Sequence, residues 1–221
     1  MLNYELTGKV ALLRLDDGKA NAVGHDLITA VNDGLDRAEA EASALVLLGR
    51  EGKFSAGFDL SEIQKGPAEA QALVERGAKL MYRLFDFPQP VVAGCTGHAV
   101  AAGAFLLLCC DTRIGIDGKF KLGMNETAIG MTLPVFGYEL ANHRLSRRHL
   151  TAAFVQAQLY DPKGAMAVGY LDQVVAPDAL ETTALEIAAQ LAELPGEAYA
   201  ANKRHLRRDA LRAIKESLAN D

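Results

Sequence analysis

The chain is poor in cysteine, with three in 221 residues: Cys109 and Cys110 are adjacent and Cys95 stands apart. This pattern supplies neither a disulfide framework nor a metal-ligand spacing, so the three read as buried small residues. The five histidines (His25, His98, His143, His149 and His205) are scattered, which argues against a metal site. No run approaches the ~20 apolar residues of a membrane span, and the first residues show neither a signal-peptide core nor an Arg-rich transit pattern. A cytoplasmic protein with no membrane partner is expected. There is no Gly-x-Ser-x-Gly elbow and no phosphate-cradling loop, and the glycines around residues 97–103 lack dinucleotide-fingerprint spacing. The net charge of −5 argues against a general nucleic-acid binder.

What is present fits one globular domain with a sizeable core, since 50% of the residues are hydrophobic and 23% charged. Residues 4–7 and 10–15 are β-prone runs around Gly8-Lys9, a hairpin pattern, and residues 16–22 form a turn-rich loop. Leu27, Ile28, Val31, Leu35 and Ala38 recur at helical spacing and predict a helix over residues 25–42. Residues 44–48 are continuously apolar, as in a strand covered on both faces. A loop at 54–60 follows, then a helix over 67–87 with Ala72, Val74, Ala78, Leu80, Met81, Leu84 and Phe85 as its apolar side, stopped by Pro88 and Pro90. Residues 91–94 form a second buried strand. Small residues at 99–104 then open an apolar helix whose unpaired first-turn N–H groups are donors for an oxyanion or serve close packing. Residues 112–116 are β-prone, a helix is predicted from Pro134 to about residue 155, and a short helix at 161–170 precedes a β-prone run at 171–175. Helices fill the remainder.

Two stretches carry candidate chemistry. Residues 120–133 hold one carboxylate, Glu126, with no acidic neighbour closer than Asp117. A carboxylate in apolar surroundings has its charged form disfavoured, which raises its pKa toward the range useful for moving protons; a loop glutamate in water is the alternative. Residues 203–215 carry Lys203, Arg204, Arg207, Arg208, Arg212 and Lys215 against Asp209 alone. That density fits either an anion site for a phosphate-bearing ligand or a solvated helix face.

Ser55-Ala56-Gly57-Phe58-Asp59-Leu60, Gly97-His98-Ala99-Val100-Ala101-Ala102-Gly103 with Asp111, Leu122-Gly123-Met124-Asn125-Glu126, and residues 165–175 resemble, in order, the successive motifs of the crotonase (enoyl-CoA hydratase/isomerase) superfamily. The Leu122 to Thr127 segment is most similar to that of monofunctional Δ3,Δ2-enoyl-CoA isomerases. The resemblance implies an α/β fold, a spiral of ββα units over residues 1–195, with a shortened C-terminal helical trimerisation segment at 196–221. It also implies a homotrimer or a pair of trimers.

The resemblance places the two oxyanion-hole N–H groups on Phe58 and Ala102, the latter where glycine is usual, and the catalytic glutamate on Glu126. Where family hydratases carry a second glutamate, this chain has Phe105. By the same resemblance, Lys19, Ala20 and Ala22 match the family segment that lies along coenzyme A, and Ala56 is expected beside the adenine. The implied activity is 3-enoyl-CoA to 2-enoyl-CoA isomerisation, with no cofactor beyond the coenzyme A of the thioester substrate. Hydration, thioester hydrolysis, decarboxylation or simple acyl-CoA binding remain alternatives.

Overall fold

The computed structural model describes residues 2–220. A six-stranded sheet is built from β1 (Leu2–Thr7), β2 (Val10–Leu15), β3 (Ala44–Leu48), β5 (Val91–Cys95), β7 (Thr112–Ile116) and β9 (Gln173–Val175), in that spatial order. The first pair is an antiparallel hairpin and all later pairs are parallel. A second, three-stranded parallel sheet comprises β4 (Gly52–Ser55), β6 (Gly97–Val100) and β8 (Leu122–Gly123). The chain thus alternates between sheets: β3 passes to β4, β5 to β6 and β7 to β8. Helices follow the first two of these pairs: α2 (Leu60–Ile63) and α3 (Pro67–Phe85) after β4, and α4 (Ala102–Cys109) after β6. This is the expected spiral of ββα units. The remaining helices are α1 (His25–Glu41), α5 (Val135–Arg144), α6 (Pro162–Val168), α7 (Leu180–Leu191) and α8 (Gly196–Asn220).

The all-apolar β3 is buried on both faces, as its composition predicts. Successive strand side chains point to opposite faces, so Leu45 and Leu47 enter one apolar cluster with α1, α3 and α4, while Ala44, Val46 and Leu48 enter another with α7. Each fully buried Leu or Val contributes about 1.5 to 3 kcal/mol of transfer free energy, which makes this strand a principal anchor of the sheet. In α1 the five residues of the apolar stripe are all buried. In α3, Leu73 rather than Ala72 faces inward, and Ala72 is exposed.

Three local expectations are corrected. The small-residue run 99–104 is divided, with Ala99 and Val100 in β6 and the helix beginning at Ala102. The helix after Pro134 ends at Arg144, because Leu145 is extended and the Ser146 amide donates to the Val168 carbonyl; only a single π turn, Thr151–Val155, continues beyond. The third correction concerns residues 203–215. Lys203 and Arg207 lie on the buried stripe of α8 with Ala210, Leu211 and Ile214, so these two are not part of a solvated face.

Both side chains close on Asp111: Lys203 Nζ lies 2.6 Å from its carboxylate and Arg207 forms the second ion pair. They also donate to main-chain carbonyls at and just beyond the C-terminal end of α3, Lys203 to Phe87 and Gln89, and Arg207 to Phe85. A cation there offsets the partial negative charge of a helix C-terminus. Of the exposed remainder, Arg204 pairs with Asp86, and Arg208 and Arg212 with Asp209. The three cysteines are buried and free, and burial pushes the thiols of Cys95 and Cys110 up to about 12.

Candidate active site

The three strands of the small sheet are parallel and therefore end on the same side. Three residues past Ser55 is Phe58, two past Val100 is Ala102, and three past Gly123 is Glu126. Two main-chain donors and one carboxylate, far apart in sequence, are delivered to one edge, the carboxyl ends of parallel strands where α/β proteins place ligands. The junctions are tied together: Ala101 N–H donates to the Gly123 carbonyl at 3.0 Å, and β6 pairs with β4 on one side and β8 on the other.

Both donor-bearing residues follow a residue with positive φ, Gly57 at +96° and Ala101 at +51°. Alanine in that region is uncommon and costs energy; with ψ of −127°, Ala101 turns the chain abruptly from β6 into α4. At the first helical position the Ala102 N–H has no acceptor within its own helix. Val23 takes the Gly57 carbonyl and the Asp59 N–H, the two groups flanking Phe58. Alternation along an extended chain then sends the Phe58 N–H to the opposite side. The two turns touch: a Cβ added to Gly57 would lie 2.8 Å from Ala101 Cβ and 3.4 Å from Ala102 N. Gly103 keeps them close, since a Cβ there would meet the Ser55 carbonyl oxygen at 2.3 Å. The Phe58 ring rests over Gly77 of α3, where a side chain would collide with it. Ala102 itself is fully buried.

Glu126 opens a short 3-10 turn, Glu126–Ile129, behind Asn125. It is 7% exposed and its Oε2 has no hydrogen-bond partner. Burial raises its pKa from the ordinary carboxylate value, opposed by the main-chain amides of Glu126 and Asn125. Phe105 is buried edge-to-face against Phe136 of α5, with ring centroids 5.4 Å apart, so no carboxylate occupies that position.

The loop before α1 is fastened to this edge. Ala56 N–H donates to the Ala20 carbonyl, and Ser55 Oγ to the Asn21 carbonyl at 2.7 Å. Asn21, buried at φ +50°, donates to the carbonyls of Leu15 and Phe54. Lys19, Ala20, Ala22 and Ala56 are thereby brought to one rim. Beside it lies a cleft of about 460 Å³ bordered by Lys19, Ala20, Ala22 and Asp59, with Asp17, Asp26 and Glu62 also on its wall. Lys19 is exposed, and it forms no ion pair among the described residues. Another hollow, of about 410 Å³, lies over Asp111, Lys203 and Arg207, away from Glu126. Asn21 was not singled out from sequence; an asparagine within a turn-rich loop, tolerant of positive φ, is the signal that marks it.

Residues 5–221 match the sequence profile described as enoyl-CoA hydratase/isomerase. An enoyl-CoA hydratase/isomerase family protein from Pseudomonas syringae, of known structure, superimposes with a TM-score of 0.97 at 40% identity, covering 100% of this chain and 96% of that one. Human mitochondrial enoyl-CoA delta isomerase 1 is 28% identical over 204 residues, 90% of this chain and 68% of its own. The short-chain-enoyl-CoA hydratase of Clostridium acetobutylicum is 29% identical over 221 residues, 97% of this chain and 84% of its own. With a crotonase-type fold and a profile match spanning nearly its whole length, the chain belongs to the enoyl-CoA hydratase/isomerase family of enzymes.

Proposed function

We propose that the protein is an acyl-CoA double-bond isomerase converting 3-enoyl-CoA to 2-enoyl-CoA. The observation that supports this reading is a single buried carboxylate, Glu126, with one oxygen lacking a hydrogen-bond partner, at the edge where the turns bearing the Phe58 and Ala102 N–H groups touch, with Phe105 where a second acid would stand. Moving a double bond needs only one proton carrier. Glu126 removes a proton from C2 of the 3-enoyl thioester; the electron pair forms a dienolate whose oxygen accepts hydrogen bonds from Phe58 and Ala102. The same proton then returns at C4, leaving the double bond between C2 and C3. Each main-chain donor contributes about 3 to 4 kcal/mol to holding the charge that develops on oxygen. A raised pKa suits Glu126 to both halves of the cycle, provided it is ionised when substrate arrives.

Coenzyme A lies in this reading along Lys19, Ala20, Ala22 and Ala56, with the free Lys19 ammonium available to a phosphate. A cytoplasmic location, a homotrimer or pair of trimers, and a place in fatty acid metabolism complete it. Hydration of 2-enoyl-CoA is the second reading, favoured by the name of the Clostridium relative. Incubation with paired 3-enoyl and 2-enoyl thioesters separates the two: hydration faster than double-bond migration overturns the isomerase. Glu126→Gln should lower isomerisation by ~10² to 10⁴ while thioester binding persists; isomerisation at the parental rate removes Glu126 from the mechanism.

A further inference from the structure

Four polar atoms around the Glu126 segment are buried without a hydrogen-bond partner: Glu126 Oε2, Asn125 Oδ1 and the hydroxyls of Tyr160 and Tyr170. Buried polar atoms are paired in roughly nine cases of ten or more, so such a concentration needs a reason. The four belong to one neighbourhood. Tyr160 exchanges main-chain hydrogen bonds with Leu122 at 2.9 Å in both directions, four residues before Glu126. Its ring lies 6.0 Å from that of Tyr170, centroid to centroid. The Met124 amide faces the Tyr170 hydroxyl, and the charge of Glu126 acts on that phenol. Tyr170 is held inward by its backbone: Gly169, at φ +109°, ends α6, and Tyr170 N–H returns to the Ala165 carbonyl at 2.9 Å.

The atoms also match in kind. A carboxylate oxygen and an amide oxygen only accept, whereas a phenol donates; two unmet donors stand with two unmet acceptors. Burial leaves the Tyr170 hydroxyl protonated, its pKa raised well above the ordinary phenol value. The influences on the Glu126 carboxyl are burial and two main-chain amides rather than a charged side chain, while the Tyr170 phenol feels the charges of both Tyr160 and Glu126.

We infer that Tyr170 is a positioning residue for Glu126, its phenol donating a hydrogen bond to the ionised carboxylate directly or through one water shared with Tyr160 and Asn125. The inference rests on Glu126 being the base. A hydrogen bond to the charged form lowers a carboxyl pKa. The phenol therefore keeps a buried glutamate ionised enough to accept the C2 proton and fixes which oxygen faces the substrate.

The test uses Tyr170→Phe and Tyr160→Phe, which preserve ring volume. The Glu126 carboxyl pKa is followed by carbon NMR of the unliganded protein, with Glu126→Gln identifying the resonance, alongside the pH profile of kcat/KM and the melting temperature. Tyr170→Phe should move the Glu126 pKa and the acid limb of kcat/KM upward together by about half a unit or more, a roughly threefold change in proton affinity. Tyr160→Phe should move both in the same direction by less. If Tyr170→Phe only raises the melting temperature and leaves both pKa readings in place, the hydroxyl is a mere buried cost and the inference falls. An unmoved pKa with an inactive Glu126→Gln overturns the positioning role alone. An active Glu126→Gln overturns the base reading and the positioning role with it.

Discussion

Asp111 and Glu126 are both largely withdrawn from water, and they have opposite fates. Asp111, 10% exposed at its side chain, meets Lys203, Arg207 and the Val91 N–H. Burial alone would raise its pKa, but the attraction of Lys203 and then Arg207 outweighs burial and holds it below the usual value. Glu126 meets no cation among the described residues, and its pKa goes up. Burial by itself therefore does not make a carboxylate reactive or structural; the presence of a cation decides. The Asp111 end ties α8 to α3 and α4. The Glu126 end spends stability on an unpaired carboxylate and a strained Ala101.

The largest effect expected from breaking this contrast is at the paired end. Asp111→Asn leaves Lys203 and Arg207 without their counter-charge and should cost about 3 to 5 kcal/mol, read from urea unfolding at pH 7. Because the folded pKa of Asp111 is depressed, its contribution is present above the unfolded carboxyl value and is lost as pH falls through the folded value. A loss under about 1 kcal/mol would show that the pair does not anchor α8.

A smaller effect, of the other sign, is expected beside the site. Ala101→Gly removes the penalty of a side chain at φ +51° and should raise stability by about 1 kcal/mol in a calorimetric melt. A destabilised variant would mean that the chain freedom gained on unfolding exceeds the strain relieved.

The smallest is at Glu126. Its raised pKa means that folding disfavours the charged form. The penalty is absent below the unfolded carboxyl pKa and complete above the folded one, so Glu126→Gln should melt higher than the parent at pH 8 and show little gain at pH 4. Equal changes at both pH values would contradict an unpaired carboxylate.

Legibility from sequence followed the length of each repeating pattern. α1 and β3 could be placed because a buried face imposes its period on consecutive residues. The small sheet escaped because β4, β6 and β8 have four, four and two residues, too short for alternation to show. The inward turn of Lys203 and Arg207 had a faint signal in their register with Ala210, Leu211 and Ile214, but their partner is more than 90 positions upstream.

The sequence by itself determined that Glu126 stands without acidic neighbours, that position 105 is an apolar residue, and that strand-prone and helical stretches such as residues 44–48 and 25–42 lie where they do; these are properties of residue type and order. Only the tertiary structure decided that Phe58, Ala102 and Glu126 share one edge, and that Asp111 is neutralised while Glu126 is not. Those outcomes depend on which distant segments are brought within a few ångströms, where desolvation and charge act on distance in space and not on separation along the chain.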